Sequence, residues 1–388
     1  MLKLFKVYNY KNFKDTIEFN FGKIGGYKFN SECINSGTIS KGILYGRNAT
    51  GKTNLGMAIV DIKNIILGTP LFYRRKGRIL NADSDDRYAS FYYEFDIDGK
   101  NVIYTYNRNN RNELCLEKLI IDKEEIFEVN FEKKDLIKNN LALINAETIQ
   151  IDKYIEVIKN VQGDIDEDGV SQLQVPLLRF ILNNAALPLD SPLLKLEDFV
   201  ERMRFHSVTQ QILRTSMRTE ESFSDYLSIK DNLKDFEKFL NIMGIECSLK
   251  LVKTIEGHNE LFFDYNSLIP FFDTASSGTL SLVAFYRRYI AFMNKPSFIF
   301  MDEFDAFFHY EMSEKLVEYL KEKYKDCQVI LTTHNTNLMT NQLMRPDCVF
   351  ILSRDGRITA LCDATDRELR EGHNLEKLYI GGEFEKYE

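Results

Sequence analysis

Apolar and polar residues alternate along about the first 25 positions of the chain, which is the two-residue period of a strand with one buried face. The stretches "LKLFKVYNY" and "TIEFNF" are therefore predicted to be antiparallel strands joined by a turn around Lys14 and Asp15. The alternation returns over residues 89–121, where the "DG" at Asp98 and the "RNNRN" at 108–112 predict the turns of a β meander. Between these regions, the apolar run "KGILYG" predicts a short buried strand, and a helix is predicted over residues 52–67.

Further along the chain, the pattern changes to helices and then to strands alternating with helices. Residues 151–251 follow mainly helical periods interrupted by "LPLDSP", and a β pattern returns at 250–265. A helix, the strand "SFIFMDE", the helix "EMSEKLVEYLKEKY", the strand "QVILTTH", another helix and the strand "CVFILS" follow. Such alternation predicts an α/β protein with a parallel sheet. We expect an N-terminal core half with the meander (1–150), a mainly helical insertion (151–250) and a C-terminal core half (251–388).

Composition and charge narrow the class of protein. The 388 residues are 44% hydrophobic, enough for one large core or two modest ones. Lys and Arg total 50 against 58 for Asp and Glu, and the net charge of −8 does not favour a dedicated nucleic-acid binder, although a local basic face leaves DNA possible. Six isolated cysteines argue against a zinc site or a disulfide framework. No stretch approaches the roughly 18 apolar residues of a membrane span, and the N-terminus lacks the apolar run of a signal peptide, so a cytoplasmic protein without membrane contact is predicted.

The glycine-rich stretch "GRNATGKT" at 46–53 lies between a predicted strand and a predicted helix, and it fits the pattern G-x-x-x-x-G-K-[ST]. Its glycines let successive backbone N–H groups curl round a phosphate at a helix N-terminus. Lys52 is expected to reach the β- and γ-phosphates, and Thr53 to hold Mg²⁺. The alternative, a chance glycine-rich turn, is disfavoured by the strand and helix on either side.

Two later strands end in candidate catalytic residues. The strand "FIFMDEFD" ends in Asp302, expected to complete the Mg²⁺ shell opposite Thr53, and in Glu303, placed to polarise the attacking water as a general base. The next strand, "VILTTHN", ends in His334. A single histidine is commonly structural, but this position at the end of the strand that follows the two acids suits a γ-phosphate sensor.

Two charged stretches suggest other binding chemistry. "DIDEDG" at 164–169 matches the first half of a calcium loop, but its twelfth position is Val175, where a bidentate Glu is required, so an exposed acidic turn is predicted instead. The basic stretch "YRRKGR" at 73–78 and several spaced arginines are interpreted as solvated faces, with phosphate contact as the alternative. Those arginines are Arg202, Arg204, Arg214 and Arg218.

Taken in order, "VYNYKNFKD", "GRNATGKTNL", "TASSGTLSL", "MDEFDAFFH" and "TTHN" resemble the motifs of ABC-type ATPases, specifically of their RecF/SMC-like branch. The "SSGT" pattern and the C-terminal "GHNLEKLYIGG" are most similar to abortive-infection ATPases of bacterial anti-phage systems, of the RloA, AbiL and AriA types, and to the ATPase part of OLD proteins. The resemblance spans nearly the whole chain. It implies an ABC-type P-loop core that carries the antiparallel meander and the helical insertion.

The resemblance also implies roles for individual residues. Ser277 and Gly278 fall on the signature serine and its glycine, so that Ser276, Ser277, Gly278 and Thr279 would act in trans, on the nucleotide of a second copy. Asp305 falls on the D-loop aspartate, and His334 on the switch histidine. The residues expected to bind ATP are Gly46, Arg47, Asn48, Ala49, Thr50, Gly51, Lys52, Thr53 and Asn54.

Two features depart from the family pattern. Thr279 and Leu280 stand where the signature usually has a second glycine and a glutamine. Gln172 and Gln174 are the candidates for the Q-loop glutamine near an element boundary, and neither fits well enough to be assigned.

The predicted reaction is hydrolysis of ATP to ADP and phosphate, with Mg²⁺ as cofactor and with Lys52, Glu303 and His334 as catalytic residues. ATP would be held between two copies, in a homodimer or a higher even-numbered oligomer. The resemblance implies a sensor or regulatory subunit of an anti-phage defence system that controls a separately encoded effector, a nuclease or toxin. The alternative is a RecF/SMC-like DNA-repair ATPase that binds DNA.

Overall fold

The computed structural model of the chain describes residues 1–68, 78–110, 113–147, 149–160, 175–207, 218–255, 257–291, 295–306 and 308–388. The strands, numbered in chain order, are β1 (Leu2–Tyr8), β2 (Ile17–Asn20), β3 (Ile34–Asn35), β4 (Thr38–Ile39), β5 (Lys41–Tyr45), β6 (Ala89–Ile97), β7 (Lys100–Arg108), β8 (Leu114–Ile121), β9 (Glu124–Asn130), β10 (Asp135–Asn139), β11 (Met203–Ser207), β12 (Leu249–Lys253), β13 (Asn259–Asp264), β14 (Leu268–Pro270), β15 (Phe298–Asp302), β16 (Gln328–Thr333), β17 (Val349–Leu352) and β18 (Ile358–Ala360). The α-helices are α1 (Lys52–Val60), α2 (Ile62–Leu67), α3 (Ile151–Asn160), α4 (Leu177–Asn184), α5 (Pro192–Glu201), α6 (Arg218–Ser228), α7 (Asn232–Ile242), α8 (Phe271–Thr274), α9 (Ser277–Tyr286), α10 (Tyr310–Lys323) and α11 (Leu375–Ile380).

The alternating stretches form one long antiparallel sheet, with the strand order β10-β9-β8-β7-β6-β1-β2. Alternate residues of β6 are buried, as a strand with one face on the core requires. The predicted strand pair at the N-terminus and the predicted meander are both confirmed. β9 and β10 extend the meander beyond the residues for which it was predicted.

The alternating strands and helices form a second, mainly parallel sheet with the order β11-β15-β16-β5-β17-β18. β11, β15, β16, β5 and β17 are parallel to one another, and β18 pairs antiparallel with β17 at the edge. Every residue of β5, β15 and β16 is buried, which explains their continuous apolar character. Because the strands are parallel, the residues that follow β5, β15 and β16 meet at one edge of the sheet. The predicted α/β class with a P-loop core is confirmed.

Three elements differ from the sequence prediction. β11 lies within the stretch expected to be mainly helical, and it pairs with β15 from Met203↔Phe298 to Ser207↔Asp302. The helix predicted between β16 and β17 is wrong: this stretch forms the 3₁₀ turns Thr336–Leu338 and Pro346–Cys348. Pro346 at the start of the second turn prevents a helix from running through that position. The predicted helix at 52–67 is divided at Asp61 into α1 and α2.

The helices attach to the two sheets at specific points. α1 packs on β11 and β15, and Gly56 permits this close approach, because a Cβ atom there would lie 2.4 Å from the ring of Phe300. α6, α7 and α8 surround the small sheet β12-β13-β14, and the Tyr286 ring of α9 packs 4.8 Å from Phe236 of α7. Across the described residues, no helix is long and apolar enough to cross a membrane.

Candidate nucleotide site

The phosphate loop connects the buried end of β5 to the first turn of α1. Ala49 and Gly51 have left-handed backbone conformations (φ 65° and 105°), which curl the chain before the helix begins. The Thr50 hydroxyl donates to the Arg47 carbonyl over 3.0 Å, a hydrogen bond within the loop that stabilises its curved backbone. Arg47, at the exposed tip, forms a 2.6 Å ion pair with Glu388.

Lys52 lies across this loop. Its Nζ donates to the carbonyls of Gly46 (2.8 Å) and Arg47 (3.2 Å) and lies 3.0 Å from Nε2 of His334. Because an ammonium group has no lone pair, His334 Nε2 is the acceptor, which places the ring proton on Nδ1. Burial lowers the pKa of Lys52, and the nearby charges of Asp302 and Glu303 oppose that shift. Burial, followed by the Lys52 charge, also lowers the pKa of His334, so the imidazole is neutral at neutral pH.

Thr53 and Asp302 form the candidate metal site. The Thr53 hydroxyl donates to Oδ2 of Asp302 over 2.7 Å, which brings a side chain of α1 to the end of β15. The other carboxylate oxygen, Oδ1, accepts from the hydroxyl of Thr332 at 2.9 Å. A hydroxyl and a carboxylate are hard oxygen donors, the type that Mg²⁺ prefers. The two residues therefore fit the predicted cofactor, and Thr53 and Asp302 would hold it.

Glu303 directly follows β15 and has a left-handed backbone conformation (φ 51°), which is uncommon for a residue other than glycine. Its backbone N–H donates to the Thr332 hydroxyl over 2.8 Å. Its Oε1 lies 3.9 Å from Nε2 of His334. The structure thus brings the predicted general base, the switch histidine and the phosphate-loop lysine to one edge of the parallel sheet.

Asp305, the predicted D-loop residue, is attached to the end of β16. Its Oδ2 accepts from the Thr333 hydroxyl at 2.7 Å, and the same hydroxyl accepts from the backbone N–H of Asn335 at 2.9 Å. Burial raises the pKa of Asp305, and the hydrogen bonds from Thr333 and Asn335 oppose the shift. Asp305 is therefore fixed to the same strand that carries His334.

Asn12 also contacts the phosphate loop, although no role was assigned to it from the sequence. Its Nδ2 donates to the Thr50 carbonyl over 3.0 Å, and its Oδ1 accepts from Asn54 at 2.6 Å. The contact is so close that a Cβ atom on Gly51 would lie 2.3 Å from Asn12 Nδ2. The stretch "VYNYKNFKD" carried this residue as part of the family resemblance, but only the fold shows that its amide contacts the loop.

The predicted signature residues open α9. Ser276 is the N-cap, and its Oγ accepts from the N–H of Thr279 at 3.1 Å. Ser276 and Ser277 are exposed, and a Cβ atom on Gly278 would meet nothing closer than Ser276 Oγ, at 3.8 Å. Within the described part of the chain, no hydrogen bond or ion pair joins Ser276, Ser277 or Gly278 to the phosphate loop. A single copy therefore does not link the signature to its own phosphate loop.

The remaining sequence candidates lie elsewhere. Arg202 is paired with Asp198, and Arg204 donates to the carbonyls of Glu201 and Met203, so both arginines are engaged within the chain. Four of the predicted features lie wholly or largely outside the described residues. They are Gln172 and Gln174, the acidic stretch 164–169, Arg214, and all of the basic stretch 73–78 except Arg78.

The strand order, the phosphate loop after β5, the acids after β15 and the histidine after β16 are the arrangement of a P-loop ATPase domain. Residues 43–340 match the protein family described as "AAA domain, putative AbiEii toxin, Type IV TA system", and the chain belongs to this family. No curated protein matches the chain significantly.

Solved structures of SMC head domains are similar to this chain. An SMC head bound to the C-winged helix domain of ScpA is 12% identical, with a TM-score of 0.48 over 93% of this chain and 97% of that chain. The SMC head domain from Thermotoga maritima is 13% identical, with a TM-score of 0.42 over 92% and 98% of the two chains. An SMC head from Pyrococcus furiosus, bound to the C-terminal domain of ScpA, is 13% identical, with a TM-score of 0.45 over 93% and 96%.

Proposed function

We propose that the chain is a cytoplasmic ATPase that binds Mg·ATP at residues 46–54 and hydrolyses it between two copies. The observation that carries the proposal is the convergence of three strand ends. Lys52 Nζ lies 3.0 Å from His334, Thr53 lies 2.7 Å from Asp302, and Glu303 lies 3.9 Å from His334. A phosphate-binding lysine, a pair of oxygen ligands and a base beside a neutral histidine form a set that suits phosphoryl transfer to water.

Each residue of the candidate site would have a separate role in ATP hydrolysis. Lys52, which rests on the Gly46 and Arg47 carbonyls and on His334, would transfer its hydrogen bonds to the β- and γ-phosphates. Glu303 would accept the proton of the attacking water. Once Lys52 has left Nε2 of His334, the imidazole would change to the tautomer with its proton on Nε2 and donate that N–H to the γ-phosphate. Thr53 and Asp302 would hold Mg²⁺, which when bound would supply positive charge against the phosphate oxygens.

The second copy would supply Ser276, Ser277, Gly278 and Thr279. These residues open a helix, and a helix N-terminus favours an anion, although the Thr279 N–H is already bonded to Ser276 Oγ within the copy. The open space at Gly278 leaves room for a close approach. ATP would join the two copies in a homodimer or a higher even-numbered oligomer, with Asp305 of each copy beside the shared face. Hydrolysis would then release them as a rigid-body switch.

We further propose that this cycle is the sensor or regulatory step of an anti-phage defence system and controls a separate nuclease or toxin effector. The support is the resemblance of "SSGT" and "GHNLEKLYIGG" to abortive-infection ATPases and the family description, which names a toxin–antitoxin system. Co-purification with the product of a neighbouring gene would support this role. Full protection against phage by the chain alone would contradict it.

The ATPase proposal is tested with a Glu303→Gln variant incubated with Mg·ATP and examined by native mass spectrometry. We expect two copies with two nucleotides, because the variant retains its nucleotide ligands and lacks the base. The wild type in EDTA is the control and should remain monomeric. A variant that stays monomeric with Mg·ATP would contradict the sandwich. ATP-dependent, salt-sensitive DNA binding by the wild type would favour the RecF/SMC-like alternative.

A further inference from the structure

One hydroxyl group lies between the two carboxylate residues of the candidate site. Thr332, on β16, donates to Asp302 Oδ1 over 2.9 Å and accepts from the backbone N–H of Glu303 at 2.8 Å. We propose that Thr332 is a positioning residue that fixes the metal-ligand carboxylate and the backbone of the general base together. The inference rests on the proposed ATPase function, and it assigns to that site a buried residue that acts through Asp302 and Glu303.

The Thr332 hydroxyl forms hydrogen bonds with both partners, one donated and one accepted. Thr332 is completely buried, with 0% of its surface exposed, so water does not compete for its bonds. A threonine hydroxyl has one proton to donate, and Asp302 receives it, while one of its lone pairs accepts the Glu303 N–H. Hydrogen bonds to charged groups in a buried site are stronger and more directional than exposed ones. A single side chain thus sets two orientations at once.

Asp302 needs such a second partner. Its two oxygens are divided between two threonines, with Oδ2 bonded to Thr53 and Oδ1 to Thr332. Thr53 is also a candidate ligand of Mg²⁺, so its hydroxyl cannot serve both as an undisturbed anchor of the carboxylate and as part of the metal shell. Thr332 bonds the other carboxylate oxygen, Oδ1, and can hold it in either condition. It therefore keeps the carboxylate oriented with Oδ2 toward Thr53.

Glu303 needs a fixed backbone for a different reason. Its left-handed conformation (φ 51°) costs about 1 kcal/mol or more for a residue with a Cβ atom and persists only where neighbouring bonds hold it. The Thr332 hydroxyl bonds the Glu303 N–H, and the Thr332 carbonyl accepts from the Phe304 N–H at 3.2 Å. Both sides of the turn are thus attached to one residue of β16. Without the hydroxyl, the carboxylate of Glu303 loses its defined direction.

Thr333 provides a matched control on the same strand. It is also 0% exposed, but its hydroxyl bonds Asp305 and Asn335 rather than Asp302 and Glu303. A threonine-to-valine change at either position removes one buried hydroxyl and preserves shape. Only the change at 332 should affect the metal-dependent part of nucleotide binding.

The test compares Thr332→Val, Thr332→Ser and Thr333→Val by the affinity for ADP, measured by calorimetry with Mg²⁺ and with EDTA. ADP is the probe because no turnover enters the measurement. For Thr332→Val we expect the EDTA affinity within about twofold of wild type, and a gain from Mg²⁺ reduced about tenfold, as for loss of a hydrogen bond that orients a metal ligand. The kcat for ATP should fall about 100-fold, because the base is misplaced. Thr332→Ser should restore both values, and Thr333→Val should keep the Mg²⁺ gain.

The outcomes separate this inference from the function on which it rests. A wild-type chain whose ADP affinity does not respond to Mg²⁺ would overturn the proposed ATPase site and the inference with it. A responding wild type with an equal response in Thr332→Val would overturn the inference alone, as would a serine variant that behaves like valine. If the valine variant does not fold, Thr332→Ala takes its place in the same comparison, with a thermal melt to confirm folding.

Discussion

At the scale of single residues, three charged groups of the candidate nucleotide site, Lys52, Asp302 and Asp305, are held by uncharged partners, whereas Arg47 at the exposed tip is paired with Glu388. Asp302 is bonded by two threonine hydroxyls, Asp305 by a third, and Lys52 by two carbonyls and a neutral histidine. A charge that is already neutralised in a buried ion pair contributes little attraction to a ligand. Neutral hydrogen bonds orient these groups and leave their charge available to phosphate and metal.

Asn12 gives the first prediction at this scale. Replacing it with alanine removes the bonds to the Thr50 carbonyl and to Asn54, so the phosphate loop loses its lateral support. Two hydrogen bonds at roughly 1 kcal/mol or less each correspond to an increase in the Kd for ADP of about tenfold. Calorimetry with Mg·ADP measures the effect. Asn184→Ala is the control, since among the described residues the Asn184 amide donates to Phe180 of its own helix and not to the phosphate loop. Equal affinities for the two variants would contradict the support role.

The residues of the site differ in how far they could be predicted from the sequence. Lys52, Thr53 and Asp302 stand in motifs whose spacing is set by one strand and one turn, so a local pattern is enough. Asn12 and Thr332 act on partners 38 and 30 positions away, through contacts that exist only when strands from different parts of the chain are adjacent. Asparagine and threonine are also common on strands and turns for purely structural reasons. Their roles therefore required the fold.

At the scale of elements, a buried carboxylate attaches the helical insertion to the meander. Glu117 of β8 accepts from the N–H groups of Leu177 (2.6 Å) and Leu178 (2.9 Å), at the N-terminus of α4, and from the Tyr104 hydroxyl (2.9 Å). A carboxylate at this end of a helix satisfies free N–H groups and interacts favourably with the helix dipole. Burial nevertheless dominates and raises the pKa of Glu117 to about 7.

This raised pKa predicts a pH dependence of stability. Below its ordinary value of 4.5, Glu117 is protonated in both the folded and the unfolded chain. As the pH rises from there to about 7, the unfolded chain releases the proton first, so the contribution of Glu117 to stability is lost over this range and levels off above it. Glu117→Gln removes the titration. Its free energy of unfolding relative to wild type should therefore increase by about 3 kcal/mol between pH 4.5 and 8.

Urea unfolding at several pH values measures that difference. Glu128→Gln, on the neighbouring strand β9 and partly exposed, controls for the loss of a carboxylate from the sheet. A Glu117→Gln curve parallel to that of wild type would show that this carboxyl does not titrate between folded and unfolded states in this range.

The junction of α1 and α2 predicts a second effect on stability. Asp61, at this junction, accepts from Arg108 (2.6 Å) and Tyr106 (2.7 Å) of β7, and the side chains of Asp61 and Arg108 are 4% and 3% exposed. Asp61→Ala leaves a buried guanidinium without this carboxylate, which should lower the free energy of unfolding by about 3–5 kcal/mol. Asp198→Ala breaks the exposed pair with Arg202 and should cost less than about 1 kcal/mol. Similar urea midpoints for the two variants would contradict the prediction.

Elements with a clear period could be predicted, and strand β11 shows why an element without one could not. β6 and β7 alternate over nine residues each, so their type follows from local sequence. β11 has five residues, "MRFHS", and includes Arg204 and His206, so its apolar pattern is weak. It becomes a strand because β15 offers a parallel partner at the sheet edge, across about 95 positions of sequence. A strand that forms through such non-local pairing need not show an alternation of apolar and polar residues in its own sequence.

At the scale of the whole molecule, the proposed nucleotide-binding residues and the predicted signature residues belong to different structural units. The phosphate loop, Asp302, Glu303 and His334 border the parallel sheet, while the signature opens α9, whose Tyr286 packs on Phe236 of α7. The order of motifs along the chain allowed the α/β core and the antiparallel meander to be predicted together. It did not give the position of α9 relative to the site, because that depends on the packing of the insertion.

Ser277→Arg tests whether α9 of one copy completes the site of another. Ser277 is exposed and its side chain makes no described contact with the phosphate loop, so arginine should leave ADP binding by a single copy within about twofold of wild type. The added side chain would occupy the face on which the second copy docks. In the Glu303→Gln background, native mass spectrometry should therefore show monomers with Mg·ATP, while Ser228→Arg, which adds the same charge at an exposed serine of α6, should still give dimers.

Mixing two inactive variants tests the same contact by a gain of ATPase activity rather than by a loss. Lys52→Ala lacks a working phosphate loop but keeps Ser277, and Ser277→Arg has the opposite defect. In a two-fold sandwich, a mixed pair contains one site built from the intact loop of one copy and the intact signature of the other.

Each variant alone should hydrolyse ATP at least about 100-fold more slowly than wild type. An equimolar mixture should recover up to about a quarter of the wild-type sites, because half of random pairs are mixed and each has one complete site. Since the arginine in the second site of the mixed pair still opposes docking, the recovered rate should rise with protein concentration. A mixture that remains as inactive as its components at all concentrations would show that the signature does not act across copies.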